Sequence, residues 1–406
     1  MTPDDVRAAA EQLLQFHERF APLFGKEEAQ GHAYTYLKGL MCCPGRKSIE
    51  PIALCTGTGQ VSGLQKFIAV APWQADDVQA EIQSAFADEL VPAAGTLVGT
   101  VGVIDESGFS KKGAKSAGVA RQHNGRLGKE DNCQVGVYLI GVTPAGSALL
   151  DHRLYLHQSW YEGDEAARRR AEAHIPEGLP FRTKPQIAAA LVRDVIVTGT
   201  VGLDWVTADE EYGQNGELLD ELEELGQRYV MEVPTTTTVW TADPASCIPP
   251  HSGRGRRPRR PSREAVRSVA ELAAGLPAEA WRRLQVRDGA VGPLVFEFAA
   301  VRAWAVRHRQ PGPPIWVLIR RSLEAEPEVK YYVSNGDEAT PLGVLAGVAG
   351  TRHQVEDFLE DSKSYLGMAQ YETRSWVGWH HHMTLVGLAH LFVVLTRFRL
   401  KKKSRG

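Results

Sequence analysis

The order of apolar segments between residues 93 and 233 constrains this chain more than any other feature. Thr96–Ile104 (TLVGTVGVI) is β-branched and apolar, and it stops abruptly at Asp105-Glu106-Ser107-Gly108. Short runs of this kind bounded by turn residues read as strands. Cys133–Val142 and Ala148–Leu156 form a second and a third, the latter following the turn Thr143-Pro144-Ala145-Gly146. A helix is predicted over Pro185–Val197, then a short apolar run Leu203–Ala208 halting at Asp209, a helix over Gly216–Leu225 and a strand over Arg228–Val233. Three strands with short links can pair antiparallel, whereas strands joined through helices can pair parallel. The expected fold is therefore α/β, a mixed sheet with helices on its faces. Asp105 and Asp209 fall at the C-terminal ends of strands, where ligands and catalytic groups gather in open α/β sheets.

The flanks differ in kind. Residues 1–92 read as a helical domain, with apolar residues at three-to-four spacing over Val6–Phe16 and Asp76–Leu90 and a break at Cys42-Cys43-Pro44-Gly45. Residues 93–233 form the first part of the core. Residues 234–345 interrupt it as an inserted, partly β subdomain: a threonine run at 235–238, a Pro/Arg-rich loop at 249–263, a helix near Glu264–Ala274, and strand-like runs Leu294–Ala299, Ile315–Ile319 and Val329–Val333. Residues 346–396 return to helix. Over Val344–Leu366, helical geometry places Val348, Val355 and Leu359 on one stripe. It places Arg352, Glu356 and Lys363 on the adjacent one, within about 40° of each other. A final apolar helix covers Trp376–Phe398, and residues 397–406 form a basic tail.

Composition narrows the class. With 406 residues, 43% hydrophobic and 23% charged, the chain is no coiled-coil rod, collagen or disordered polymer. Its five cysteines form no CxxC pair, which argues against a disulfide framework or zinc ribbon and fits a reducing cytoplasm. The first residues lack a basic-then-apolar leader, and the longest apolar stretch, Leu385–Leu395, is short for a bilayer. The expectation is a cytoplasmic protein with no membrane partner. A net charge of −3 argues against blanket coating of DNA, yet basic residues cluster. Arg254, Arg256, Arg257, Arg259, Arg260, Arg263 and Arg267 lie close together, and Arg397, Arg399, Lys401, Lys402, Lys403 and Arg405 fill the tail. Such segments hold a polyanion at defined places, or are a solvated loop and a frayed end.

The chemistry centres on Asp105, Asp209 and Glu356. Converging carboxylates repel unless cations neutralise them, and hard oxygen donors select Mg²⁺ or Mn²⁺. Two such ions about 3.5–4 Å apart clamp a phosphodiester between attacking and leaving oxygens. In that arrangement Asp105 bridges both ions, Asp209 and Glu356 complete one each, and Arg352 and Lys363 hold a phosphate.

At these residues the chain resembles the DDE-type insertion-sequence transposases with an RNase H-like catalytic core, and most closely the insertion sequence seven-oh-one family. The resemblance spans roughly residues 30–396. It is carried by Val103-Ile104-Asp105-Glu106-Ser107-Gly108-Phe109-Ser110-Lys111-Lys112-Gly113, by Gly118-Val119-Ala120-Arg121-Gln122-His123 through Asn132-Cys133-Gln134, and by Thr183-Lys184-Pro185. Further segments are Ala208-Asp209-Glu210-Glu211-Tyr212-Gly213, Arg352–Lys363, and Gly367–Leu385 with Tyr371-Glu372-Thr373-Arg374-Ser375-Trp376. It implies that Asp105, Asp209 and Glu356 are the catalytic, metal-holding triad. It further implies that Mg²⁺ is the cofactor, that double-stranded DNA ends and target are the substrates, and that a homodimer pairs the ends, at the nucleoid of a bacterium. Arg352, Lys363, Lys111, Lys112, Arg121, Arg254, Arg256, Arg257, Arg259 and Arg260 are the candidate DNA contacts. The sequence departs from related transposases in having Ala349 where a tyrosine usually precedes the arginine, and His353 where Trp often follows it.

Other readings stay open beside this one. A catalytically silent, transposase-derived DNA binder and a non-transposing structure-specific nuclease both fit the charge pattern. Glu372 competes with Glu356 as third acid, although only Glu356 shares its helix with Arg352 and Lys363, and Glu372 can instead pair with Arg374 or a neighbouring element. Glu106 and Glu210 follow the two aspartates, and a strand's period of two turns them to the opposite face. Consecutive His380-His381-His382 on a helix point about 100° apart and do not converge on one ion. The glycines of Gly57–Gly63 lack the spacing of a nucleotide loop. Trp240, Trp281, Trp304 and Trp316 either stack on unpaired bases or pack in the core.

Overall fold

A computed structural model describes residues 3–93, 98–125, 127–249, 261–288 and 292–403. The elements in chain order are α1 (Pro3–Phe20), α2 (Glu27–Cys42), α3 (Ile49–Cys55), α4 (Val61–Ala69), α5 (Ala75–Glu89), β1 (Val101–Ser110), β2 (Ala120–Asn124), β3 (Lys129–Thr143), β4 (Gly146–Tyr155), α6 (Ala166–Glu172) and α7 (Lys184–Thr198). There follow β5 (Trp205–Ala208), α8 (Glu210–Gly213), α9 (Gly216–Glu224), β6 (Tyr229–Val233), β7 (Thr238–Trp240), β8 (Val266–Ser268), α10 (Val269–Ala274), β9 (Arg282–Asp288), β10 (Pro293–Arg307), β11 (Gln310–Arg321), β12 (Val329–Ser334), α11 (Leu342–Thr351), α12 (His353–Tyr365) and α13 (Trp376–Lys403). The chain divides into two compact units, one of Met1–Gly95, Ile104–Gly202 and Gln354–Gly406, the other of Thr96–Val103 and Leu203–His353.

In the first unit, β3 and β4 form a long antiparallel hairpin from Thr143↔Gly146 to Val135↔Tyr155. β2 pairs antiparallel with β3 on the far side of its N-terminal half, and β3 also neighbours β1. α7 packs on β3 and β4. Its start is written locally: Thr183 and Gln186 make a reciprocal capping box, and Pro185 sits in the first turn, where its missing N–H costs nothing. Gly199, with φ of 69°, ends it in the left-handed conformation that a side chain disfavours.

The centre of this unit is α13, which packs on β4, α5, α2 and α4. Trp379, Met383, Leu385, Leu388, Ala389 and Leu391 are fully buried, each large side chain contributing on the order of 1.5–3 kcal/mol. Among the described residues α13 alone is long and apolar enough to cross a bilayer by length and composition, so the apolar stretch is longer than the 385–395 reading; most of it is buried in this unit. It also runs through the expected tail as far as Lys403, with Arg399 paired to Glu89 at 2.5 Å. His380, His381 and His382 do diverge. His380 Nδ1 faces the Trp376 carbonyl, His381 lies between the carbonyls of Ile68 and Trp73, and His382 Nδ1 faces the Tyr36 hydroxyl.

In the second unit, residues 101–103 of β1 pair parallel with β5, Val101↔Trp205 to Val103↔Thr207, and β5 pairs parallel with β6. Beyond β6 the order is β12, β11, β10, all antiparallel, with β7 and β9 both on β10. α11 packs over β5, β6 and β9. The expected helix at 264–274 is shorter: Val266–Ser268 pairs with β7, and Ser268 then starts α10 through a capping box with Glu271. The class is as expected, α/β with a mixed sheet flanked by helices of the RNase H-like kind.

An ion network around the buried Asp151 ties β4 to its neighbours in the first unit. Arg153 contacts Asp151 at 3.1 Å, Asp76 of α5 at 3.3 Å and Asp194 of α7 at 4.0 Å. Burial pushes the Asp151 carboxyl up to about 7, against the pull of Arg153 and the His152 N–H. Asp151 thus keeps its proton in the fold at pH values where the unfolded chain has lost it. Its contribution falls as pH rises from about 4 to about 7. In thermal denaturation from pH 4 to 8, Asp151→Asn is expected to remove a pH-dependent loss on the order of a few kcal/mol that the parent chain shows.

Candidate active site

Asp105 lies in the middle of β1, not at its end. The strand runs on through Asp-Glu-Ser-Gly to Ser110 with β3 as its neighbour opposite β5, and a backbone ladder tolerates polar side chains. Its start is also later than read: Val98–Thr100 are not strand, and Thr96 and Leu97 lie outside the described residues. The β1–β5 ladder ends at Val103↔Thr207. At this point Asp105 Oδ1 accepts the N–H of Glu106 at 2.7 Å. Asp105 and Glu106 are half-buried in a strand whose other residues, up to Phe109, are buried.

Asp209 follows the last residue of β5 directly. Its Oδ1 caps α8, accepting the N–H groups of Glu211 at 3.0 Å and Tyr212 at 3.4 Å. The helix starts here, so Glu210 belongs to α8 and the alternation expected of a strand does not apply to it. Gly213 closes α8 against β6, and a Cβ there would lie 1.9 Å from the Glu232 carbonyl oxygen. Burial raises the Asp209 carboxyl above its ordinary range, opposed by the two N–H groups and Arg352. A desolvated carboxylate of this kind is relieved by a cation.

Glu356 lies in the exposed first turn of α12 and Lys363 in the last turn. Seven residues are nearly two full turns, so both sit on one stripe. Lys363 Nζ donates to Ser107 Oγ and lies 5.5 Å from the Phe109 ring centroid. Strand alternation puts Asp105, Ser107 and Phe109 on one face of β1. The Lys363 stripe of α12 is therefore turned toward the Asp105 face. Arg352 does not share that helix. The chain breaks there between α11 and α12, as Thr351 Oγ1 takes the Gly347 carbonyl at 2.9 Å and His353 Nδ1 faces that of Gly350 at 2.6 Å. Arg352 instead pairs with Glu232 of β6 at 3.4 Å, beside Lys330 at 2.9 Å.

The remaining predicted positions are scattered. Lys111 lies 3.5 Å over the Tyr371 ring; burial pushes its amine down to about 8, with Glu372 opposing. Lys112 and Arg121 are exposed. Arg254, Arg256, Arg257, Arg259 and Arg260 lie outside the described residues. Glu372, the rival third acid, pairs with Arg46 at 2.8 Å. Trp240 is buried, and Arg321 lies 3.9 Å over Trp281. Sequence reasoning missed the Ser107–Lys363 bond and a Glu106–Lys184 ion pair of 2.6 Å, although Thr183-Lys184-Pro185 stood out as a motif.

The three acids offer the hard oxygen donors that Mg²⁺ takes, and the desolvated Asp209 fits that use. Among the described residues no group of three or more His, Cys, Asp or Glu is arranged to hold a metal ion.

Glu232 has two cationic partners with little solvent access, whereas the Glu372–Arg46 pair is open to water. Glu232→Gln is expected to cost about 1–3 kcal/mol in urea denaturation. Glu372→Gln should stay within about 0.5 kcal/mol of the parent.

A 203-residue stretch is 30% identical to "Probable transposase for insertion sequence element IS701" of Microchaete diplosiphon, covering 50% of this chain and 48% of that protein. The chain thus spans about half the length of the curated relative it matches. The solved NurA nuclease from Sulfolobus solfataricus aligns over 68% of this chain and 80% of its own at 10% identity and a TM-score of 0.30, too slight a likeness to bear on fold or function. The family model described as "DDE superfamily endonuclease" matches residues 19–293, taking in Asp105 and Asp209 and stopping short of Glu356. With more than half its length so matched, this chain belongs to the DDE superfamily endonucleases.

Proposed function

We propose that the chain is a DNA transposase that cuts the ends of an insertion sequence and joins the resulting 3′-OH to target DNA. The observation that carries this reading is the parallel register. Val103 and Thr207 are the last paired residues, and Asp105 and Asp209 each stand two positions further along their own chains. Family membership and the likeness to a transposase support it.

DDE superfamily endonucleases generally use divalent metal ions. Asp105, Asp209 and Glu356 are the residues that hold them in this reading, as two Mg²⁺, with Mn²⁺ an alternative. When bound, such ions supply charge neutralisation and an activated attacking oxygen. The protein's own groups do the rest. The N–H bonds to Asp105 and Asp209 hold one oxygen of each carboxylate fixed, which limits reorganisation. In this reading Lys363, beside Ser107, takes a phosphate oxygen, with Arg352, Lys111, Lys112 and Arg121 as further candidate DNA contacts. Residues 1–92 and the basic loop grip the DNA ends, with two copies pairing them. Cutting and joining reuse one site because both steps need positioning and neutralisation only.

The test is Mg²⁺-dependent nicking and joining of DNA carrying the element's ends. Asp105→Asn, Asp209→Asn and Glu356→Gln should each lower nicking by at least about 100-fold, with DNA binding retained. Unchanged nicking in any of them removes that residue from the site. Cutting without joining by the parent chain makes it a nuclease, and binding without cutting makes it a silent DNA binder.

A further inference from the structure

We propose that Glu106 and Lys184 form a positioning pair that fixes the peptide carrying Asp105 from the opposite face of β1. The proposal rests on the reading of Asp105 as an ion-holding acid and assigns the residues that keep it in place.

Four observations converge on it. First, Asp105 and Glu106 stand just past the end of the β1–β5 ladder. The N–H of Glu106 is turned to the Asp105 carboxylate. Second, alternation sends the Glu106 side chain to the other face, where its Oε1 lies 2.6 Å from Lys184 Nζ, with the two side chains 13% and 15% exposed. An ion pair so shielded is held tightly, and losing one partner strands the other.

Third, the position of Lys184 has no rationale within its own helix. It is the first residue of α7, where the helix dipole disfavours a cation. The Thr183–Gln186 capping box and Pro185 hold it there, and α7 is anchored on β3 and β4. Fourth, Ser107 is bonded by Lys363 on the Asp105 face. The two residues after Asp105 are thus each held by a lysine, from helices on opposite faces of one strand. Such supporting contacts are worth about 10–100-fold in metal affinity in characterised sites.

The experiment measures Mn²⁺ binding to the full chain without DNA, from the electron paramagnetic resonance signal of free Mn²⁺, alongside the Mg²⁺ concentration for half-maximal nicking. Glu106→Gln and Lys184→Gln are each expected to weaken Mn²⁺ binding about tenfold and to raise the Mg²⁺ requirement equally. The exchanged pair Glu106→Lys with Lys184→Glu should recover most of the loss. A plain charge effect predicts the reverse for Lys184→Gln, because removing a nearby cation strengthens Mn²⁺ binding.

Wild-type or tighter Mn²⁺ binding by Lys184→Gln overturns the proposal, as does a folded exchanged pair that fails to recover. If the single variants do not fold, the exchanged pair decides alone. Asp105→Asn is the reference. If it binds Mn²⁺ like the parent, the reading of Asp105 falls and this proposal with it. If it loses Mn²⁺ while Lys184→Gln keeps it, only the positioning role fails.

Discussion

The parallel ladder between β1 and β5 is the constraint on which the rest depends. Parallel strands run in the same direction. Val103 and Thr207 are the last pair of the ladder, and an aspartate stands two positions beyond each. The two acids are then treated differently. Asp105 stays in a strand that lies between β3 and β5, while Asp209 directly follows β5 and caps a helix. Both use one carboxylate oxygen on a neighbouring N–H, which orients the side chain without neutralising it. Gly213, pressed on β6, fixes the turn that carries Asp209.

The element that carries the proposed third acid is placed by a different device. Glu356 has no strand to place it, and its helix is set by Lys363, two turns further on, reaching Ser107 on the Asp105 face of β1. The cation–acid spacing along α12 is therefore a structural link as much as a binding surface. Arg352, which shares that spacing in sequence, stands outside α12, and its charge opposes the raised Asp209 carboxyl. It ends α11 and neutralises Glu232 together with Lys330.

Elements with local punctuation were legible in the sequence. α7 is bracketed by its capping box and Gly199, the β3–β4 hairpin by Pro144-Ala145, and the strands β10 to β12 by β-branched runs; all stand within a few residues of expectation or extend it. Features decided by distant partners were not. β1 continues past its acids because β3 pairs it, Val266–Ser268 is strand because β7 is there, and the break at Arg352 depends on side-chain bonds from Thr351 and His353. Both aspartates were expected at strand ends; Asp209 directly follows β5, whereas Asp105 lies within β1. Their supports were not expected, since Ser107 and Lys363 stand 256 residues apart in the chain and Glu106 and Lys184 stand 78 apart.

The central claim is that Asp105, Asp209 and Glu356 serve one ion site. Localised hydroxyl-radical cleavage tests it most directly: Fe²⁺ is loaded in place of Mg²⁺ on the DNA-bound protein, ascorbate and peroxide are added, and the chain cuts are mapped. The account predicts backbone cuts around residues 105, 209 and 356 together, suppressed by excess Mg²⁺. Cuts near 372 in place of 356, or near one aspartate without the other, would contradict it.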